Sequence, residues 1–189
     1  MNIKGFPIVI SAPSGAGKTT LANLLIHNNK NLMLSTSYTT RDLRGQELNK
    51  IDYNFVTIKQ FRKMILDNFF LEWSFVHNHH YGSSSLLTER VLCNGINLIF
   101  DIDVNGGLQI KQQYPNAVLV FILPISNFEL KKRLIKRGTE SEKFITERVK
   151  IASREIDIGL KKYDYIIENI DVDKAFIDLS NIIYNHTLY

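Results

Sequence analysis

The sequence has little cysteine and no long apolar run. Cys93 is the single cysteine among 189 residues, so an internal disulfide and a disulfide scaffold are excluded. No apolar run approaches the roughly 20 residues that a membrane-spanning helix needs, and the first residues carry no signal-peptide pattern. We therefore expect a cytoplasmic protein with no membrane partner.

The excess of positive charge is small and is confined to one segment. The formal net charge is +4, and residues 126–155 hold nine Lys and Arg against five Asp and Glu, so the rest of the chain is balanced. A broad surface for a polyanion would need basic residues spread over a whole face. We therefore expect no nucleic-acid partner, and we interpret the basic segment as suited to a few phosphate groups.

Residues 12–19 form the motif around which the chain is organised. They are Ala12, Pro13, Ser14, Gly15, Ala16, Gly17, Lys18 and Thr19. They follow an apolar run and open a helical pattern, which is the context of a phosphate-binding loop for ATP. Gly15 and Gly17 let several backbone N–H groups turn toward one anion, while Lys18 can reach the β- and γ-phosphates. The alternative is a glycine-rich turn with a surface lysine. Ala12 replaces the glycine of the strict pattern, which requires a negative φ there.

Apolar segments alternate with helical patterns along most of the chain. The predicted strands lie at 6–10, 96–100, 117–123 and 163–167, and the predicted helices at 17–27, 104–113, 127–137, 140–156 and 172–185. This alternation indicates an α/β fold with a parallel sheet, whose ligands bind at the carboxyl ends of the strands.

Residues 35–90 have a different pattern. Short strands are predicted at 53–56 and 69–76, with a helix at 59–67 between them and a loop or edge strand at 81–83. Such short strands favour a small mixed insertion over another buried parallel strand.

A series of motifs resembles the guanylate kinases. They lie at 37–45, Glu47, 52–56, 70–73, 81–83, 101–106, 130–134 and 137–140. They follow the family's order along essentially the whole chain. The resemblance implies transfer of the γ-phosphoryl group of ATP to GMP, and to dGMP, with Mg²⁺. It also implies a P-loop nucleoside monophosphate kinase fold with a parallel five-stranded core sheet. The parts would be a core (1–34, 91–125 and 157–189), a mixed GMP-binding insertion (35–90) and a helical lid (126–156).

Two arginines and two tyrosines are candidates for holding the GMP phosphate. Arg41 and Arg44 lie close together in a turn and can fork onto phosphate oxygens. The resemblance implies that the hydroxyls of Tyr53 and Tyr81 bind the same phosphate. Taken singly, each of these residues could belong to an ordinary surface or pack against its neighbours.

Glu72 is the candidate for reading guanine. Guanine presents N1–H and N2–H₂ as adjacent donors, and one carboxylate can accept from both, whereas adenine offers no such pair. The family implies Ser37 near O6 and Asp103 in support of the guanine end. Glu47 and Ser83 also fall at the family's GMP-site positions. A solvent-facing Glu72 is the alternative.

Asp101 ends an apolar strand and resembles the acidic partner of a phosphate-binding loop. It would act on Mg²⁺ directly or through water, with the Thr19 hydroxyl as a second ligand. The alternative is a helix N-cap, although Asp103 could be that cap instead.

Several basic residues are predicted to stabilise the transferred phosphoryl group. Arg133, Arg137 and Arg148 resemble the family's lid arginines, and Lys18 and Arg41 complete the catalytic set. The acceptor phosphate is already ionised at neutral pH, so direct in-line transfer needs no general base. Asn169 resembles a family position near the adenine. The oligomeric state stays open.

Two other functions fit parts of the sequence. One is a kinase of the same scaffold that acts on a different phosphate acceptor. The other is a non-catalytic module that binds phosphorylated partners, although such modules usually lose the ATP loop. The histidines at 77, 79 and 80 could suggest zinc, but no cysteine or acidic ligand adjoins them, which favours a polar loop.

Overall fold

The computed structural model describes residues 5–124 and 142–187. The strands of these residues are β1 (Pro7–Ser11), β2 (Leu32–Leu34), β3 (Tyr38–Thr39), β4 (Asn54–Phe55), β5 (Phe70–Val76), β6 (His79–Ser84), β7 (Asn97–Asp101), β8 (Val118–Leu123) and β9 (Tyr165–Glu168). Their helices are α1 (Lys18–Asn28), α2 (Ile58–Leu66), α3 (Ser85–Cys93), α4 (Val104–Gln113), α5 (Glu142–Lys162) and α6 (Val172–Thr187).

Five parallel strands form the central sheet in the order β2-β7-β1-β8-β9. β1 is apolar and buried on both faces because helices cover both sides of such a sheet. Ile8 and Ile10 point into one apolar cluster with α1 and α6, and Val9 points into the other with α3, α4 and α5. Ile10 pairs with Asp101 of β7, so the loop after β1 begins beside that carboxylate.

The second sheet has four strands in the order β4-β3-β6-β5. β6 pairs with β3 and β5, so it is an interior strand, and the predicted loop or edge strand at 81–83 is wrong. His77 and Asn78 connect β5 to β6 with φ of 49° and 67°, the left-handed pair that a two-residue hairpin needs. Trp73 lies on β5 with 39% of its surface exposed.

Four further elements depart from the sequence predictions. β2, β3 and α3 were not predicted: β2 has only three residues and β3 only two, and the Ser84 hydroxyl caps α3 by accepting from the N–H of Leu87. α5 continues to Lys162, through the predicted boundary between 156 and 157. The predicted basic helix over 127–137 lies outside the described residues.

Within residues 5–124 and 142–187, every helix is too short or too polar to cross a membrane.

Candidate active site

The loop between β1 and α1 has the backbone of an anion-binding loop. Gly15 and Gly17 both have φ of 94°, a conformation that L side chains rarely adopt. The four non-glycine residues with positive φ in the described chain do not include Ala12, so the backbone requirement for that position is met. Gly17 precedes α1 without a capping side chain. The first N–H groups of the helix therefore face the pocket with its positive dipole end.

Asp101 holds both polar side chains at the start of α1. The Lys18 ammonium lies 2.7 Å from Asp101 Oδ1, and Thr19 Oγ1 donates to Asp101 Oδ2 at 2.7 Å. Lys18 also donates to the Ile102 carbonyl at 3.0 Å. Burial alone would lower the pKa of Lys18, but the charge and hydrogen bond of Asp101 outweigh it and raise that pKa. Lys18 is therefore fully charged at neutral pH.

Asp103, and not Asp101, caps the following helix. Asp103 Oδ1 accepts from the N–H groups of Asn105 (2.9 Å) and Gly106 (3.3 Å) at the start of α4. Its other oxygen accepts a short hydrogen bond from the Ser74 hydroxyl on β5. The alternative role proposed for Asp101 thus falls to Asp103, which also ties the small sheet to the central one.

Arg41 is buried and oriented by Glu47. Its side chain donates from Nη1 and Nη2 to the two Glu47 oxygens at 2.6 and 2.8 Å, and only 6% of Arg41 is exposed. The Glu47 hydrogen bond raises the pKa of Arg41 and, reciprocally, lowers the pKa of Glu47. The guanidinium also lies 5.0 Å from the centre of the Tyr53 ring. A guanidinium has five N–H donors, so donors remain for an anion.

Glu72 is a buried carboxylate on β5. It is 1% exposed, and its Oε1 accepts from the Ser83 hydroxyl at 2.7 Å. Burial raises its pKa to about 7 against the opposing effect of that hydrogen bond. Gly106 allows the Glu72 carboxylate to lie close to the backbone of α4, because a Cβ at this position would lie 2.6 Å from Glu72 Oε2.

One pocket of about 270 Å³ brings most of the predicted residues together. The predicted residues that line it are Ala12, Pro13, Ser14, Gly15, Gly17, Lys18, Thr19, Ser37, Arg41, Arg44, Tyr53, Glu72, Tyr81, Asp101, Asp103 and Arg148. It therefore runs from the phosphate-binding loop to the second sheet.

Four predicted site residues of the described chain do not line this pocket. Glu47 and Ser83 lie behind it, against Arg41 and Glu72. Ala16 and Asn169 lie on the far side of the loop, where the Asn169 amide donates to the Ala16 carbonyl at 2.7 Å. Arg133 and Arg137 lie outside the described residues.

α5 contributes two side chains to the pocket, Arg148 and Glu155. Arg148 Nη1 donates to the Ser14 hydroxyl at 3.3 Å. Glu155 was not predicted as a site residue from the sequence. Burial raises its pKa to about 7, against the attraction of Lys18. The spacing of seven residues, two helical turns, puts it on the same face as Arg148 and could have indicated it.

The hairpin between β5 and β6 also reaches the pocket. Ser74, Val76 and His77 line it, and none of them was predicted as a site residue. Among the residues that the structure describes, no three His, Cys, Asp or Glu side chains cluster as metal ligands would.

The fold and the pocket define a class of protein. A phosphate-binding loop follows the first strand of a parallel sheet, and it faces arginines, tyrosines and a buried carboxylate of a smaller sheet. This is the arrangement of a P-loop kinase that phosphorylates small phosphorylated acceptors.

Comparison with known proteins specifies the class. The sequence model of the guanylate kinase family matches residues 4–186. A guanylate kinase of Myxococcus xanthus is 43% identical over 95% of this chain and 86% of its own length, and one of Caldanaerobacter subterraneus is 43% identical over 97% and 89%. The crystal structure of guanylate kinase from Anaplasma phagocytophilum superposes with a TM-score of 0.80 at 27% identity, covering 100% of this chain and 89% of that one.

The chain belongs to the guanylate kinase family. It is an enzyme that binds GMP and ATP and uses ATP to phosphorylate GMP. The resemblance seen in the sequence is thereby confirmed, as is the α/β fold with its five-stranded parallel sheet.

Proposed function

We propose that the chain transfers the γ-phosphoryl group of ATP directly and in line to the phosphate of GMP or dGMP, with Mg²⁺, in the cytoplasm. The observation that carries this proposal is the pocket that joins the loop after β1 and Asp101 to Arg41 and Glu72. Donor and acceptor phosphates in one pocket can meet without a covalent intermediate.

The donor side would hold ATP through the loop and Lys18. The loop N–H groups and the charged Lys18 would bind the β- and γ-phosphates. Thr19 Oγ1 and Asp101 Oδ2 lie 2.7 Å apart, and both are the oxygen ligands that Mg²⁺ prefers. These two residues would hold the ion, which would neutralise part of the phosphate charge of ATP.

The acceptor side would hold the GMP phosphate as the nucleophile. Arg41, which Glu47 fixes in place, has donors left over for phosphate oxygens, and the exposed Arg44 lines the same pocket. The Tyr53 and Tyr81 rings lie edge to face at 6.1 Å, and both side chains line the pocket, where their hydroxyls would donate to the same phosphate.

The guanine end would be read by Glu72, with support from Ser37 and Asp103. Ser83 fixes the Glu72 carboxylate, so its two oxygens are already oriented to accept from N1–H and N2–H₂ of guanine. These contacts involve the base, and those of the arginines involve the phosphate. Neither needs a 2′-hydroxyl, which is why dGMP is included among the acceptors.

The basic segment would close over the reacting phosphates as a lid. Arg148 already contacts the Ser14 hydroxyl of the loop, and with Arg133 and Arg137 it would stabilise charge on the moving phosphoryl group. Closing the site also excludes water, which limits hydrolysis of ATP. We retain the three predicted parts as core (1–34, 91–125, 157–189), GMP-binding insertion (35–90) and lid (126–156), and Asn169 as a residue near the adenine.

A panel of acceptors tests this proposal. ADP formation from ATP is expected with GMP and with dGMP. It should be lost when EDTA removes Mg²⁺, and it should stay near background when AMP or UMP replaces GMP. Chiral ATP labelled at the γ-phosphorus should give product with inverted configuration, because a single in-line displacement inverts the phosphorus. Retention would mean two displacements and would refute direct transfer, and comparable rates with AMP would refute the role of Glu72.

GMP binding is expected to release protons near neutral pH. Glu72 has a pKa of about 7 in the free protein, and the guanine donors favour its ionised form, so binding lowers that pKa. At pH 7 roughly half a proton should leave Glu72 per GMP bound, and almost none at pH 9. Calorimetry in two buffers with different ionisation enthalpies measures the release.

The GMP phosphate, whose second pKa is near 6, contributes a release of its own. The Glu72→Gln variant keeps that contribution and removes the one from the carboxyl group. Equal proton release by the variant and the original enzyme at pH 7 would contradict the assignment.

A further inference from the structure

Tyr163 follows the last residue of α5 and is buried at the base of the loop. Its hydroxyl donates to the Ser11 hydroxyl at 2.7 Å and lies 3.3 Å from the Val104 carbonyl. Gly107 makes room for it, because a Cβ there would lie 2.1 Å from the Tyr163 oxygen.

The hydrogen bonds continue from Tyr163 to the lysine of the loop. Ser11 Oγ donates to the Ile102 carbonyl at 2.8 Å, and Lys18 Nζ donates to the same carbonyl at 3.0 Å. One carbonyl therefore receives both Ser11, which Tyr163 orients, and Lys18. Hydrogen bonds in such a chain polarise and orient one another.

The same helix carries side chains to the other end of the loop. Arg148, Glu155 and Gly159 recur at spacings of seven and four residues, so they share one face of α5. Tyr163 comes just after the helix, and its backbone N–H donates to the Gly159 carbonyl at 3.1 Å. Arg148 contacts the Ser14 hydroxyl, and Gly159 brings the helix against the ring of Phe121, whose atoms would lie 2.5 Å from a Cβ there.

The hydroxyl of Tyr163 is not needed to fill space. Its ring packs edge to face on Phe121 at 5.7 Å, and a phenylalanine would make the same contact. Burial raises the pKa of Tyr163, so the hydroxyl stays protonated and acts as a donor. Tyr163 does not line the described pocket, so it acts through other residues.

We propose that Tyr163 is a positioning residue: through Ser11 and the Ile102 carbonyl, its hydroxyl fixes α5 and Lys18 in one arrangement, so that Arg148 and Lys18 meet the donor phosphates together. This inference rests on the roles given above to Lys18 and Arg148. It adds a link between α5 and the loop at residues 12–19, which would bind ATP.

The test compares Tyr163→Phe, Ser11→Ala and the double variant with Tyr165→Phe as a matched control. Tyr165 also loses a hydroxyl, but that hydroxyl is exposed and contacts His186. Tyr163→Phe should lower kcat about ten-fold, the rate equivalent of one buried hydrogen bond, and leave KM for GMP within about two-fold. The control should keep the original kcat.

The double variant separates positioning from a loss of packing. If Tyr163 acts through Ser11, the double variant should lose no more kcat than Ser11→Ala alone, whereas independent effects would multiply. Each of three results would overturn the inference. These are an unchanged kcat in Tyr163→Phe, losses of kcat that multiply in the double variant, and an equal rise in the KM values for GMP and ATP. If Tyr163→Phe does not fold, Ser11→Ala must itself lower kcat about ten-fold, or the inference fails. Failure of the original enzyme to form ADP from ATP and GMP would refute the proposed function instead.

Discussion

Lys18→Ala is expected to abolish tight ATP binding. The lysine supplies a charged donor to the β- and γ-phosphates, and its removal leaves the Asp101 carboxylate without its ion-pair partner at 2.7 Å. The incoming phosphates would then meet an unpaired negative charge in a partly buried site, where such interactions are strong. Losing one charged hydrogen bond and adding this repulsion should raise the Kd for ATP by more than about a hundred-fold.

Calorimetry with a non-hydrolysable ATP analogue measures that Kd. Lys63→Ala is the matched control, because Lys63 is exposed and its ion pair with Asp67 spans one helical turn on α2, away from the pocket. The control should bind ATP as the original enzyme does. GMP affinity should change little in either variant. An unchanged ATP Kd in Lys18→Ala would remove residues 12–19 from the proposed mechanism.

Glu72→Gln is expected to weaken the binding of GMP by about a hundred-fold, while the affinity for ATP changes by less than about two-fold. The amide keeps one acceptor oxygen and turns an NH₂ group toward the donors of guanine. At a site that is 1% exposed, water cannot replace the lost acceptor. The Ser83 hydroxyl can still donate to the remaining oxygen, so the loss falls on the ligand and the fold is retained.

Equilibrium binding of GMP and of the ATP analogue to the same preparation separates the two effects. Glu89→Gln, on the exposed surface of α3, makes the same chemical change away from the pocket and should leave both affinities unaltered. Equal losses of affinity for GMP and for ATP in Glu72→Gln would indicate a general disturbance of the fold and would refute the recognition of guanine by Glu72.

The sequence predicts the elements whose signals are local. α4 has the bounds that its pattern predicts, because its buried apolar face and the Asp103 cap directly before it are both local signals. β1 and β8 are apolar runs, as strands covered on both faces must be. β6 was misread because its residues include histidines, glycine and serines, which are poor strand formers; its position between β3 and β5 comes from pairing partners distant in sequence.

Within the site, the sequence identifies candidates but not their order of contact. Glu47 and Ser83 were predicted at GMP-site positions, and in the structure they accept from Arg41 and donate to Glu72, respectively, which line the pocket. Glu155 belongs to no recognisable motif; its spacing from Arg148 is its one sequence signal, and its place in the pocket depends on how α5 packs on the sheet. Residue type and spacing along the chain cannot distinguish a side chain that touches the ligand from one that orients it.

The placement of Trp73 gives this enzyme an optical reporter of its own. It is the single tryptophan of the chain, it neighbours Glu72 on β5, and its ring is partly open to solvent. Its backbone is joined to Gln109 of α4 through hydrogen bonds at 3.2 and 3.0 Å. Indole fluorescence of the unlabelled protein therefore arises where the second sheet meets α4, next to Glu72 in the chain, so its emission wavelength and intensity can report on changes there in real time, without an attached dye.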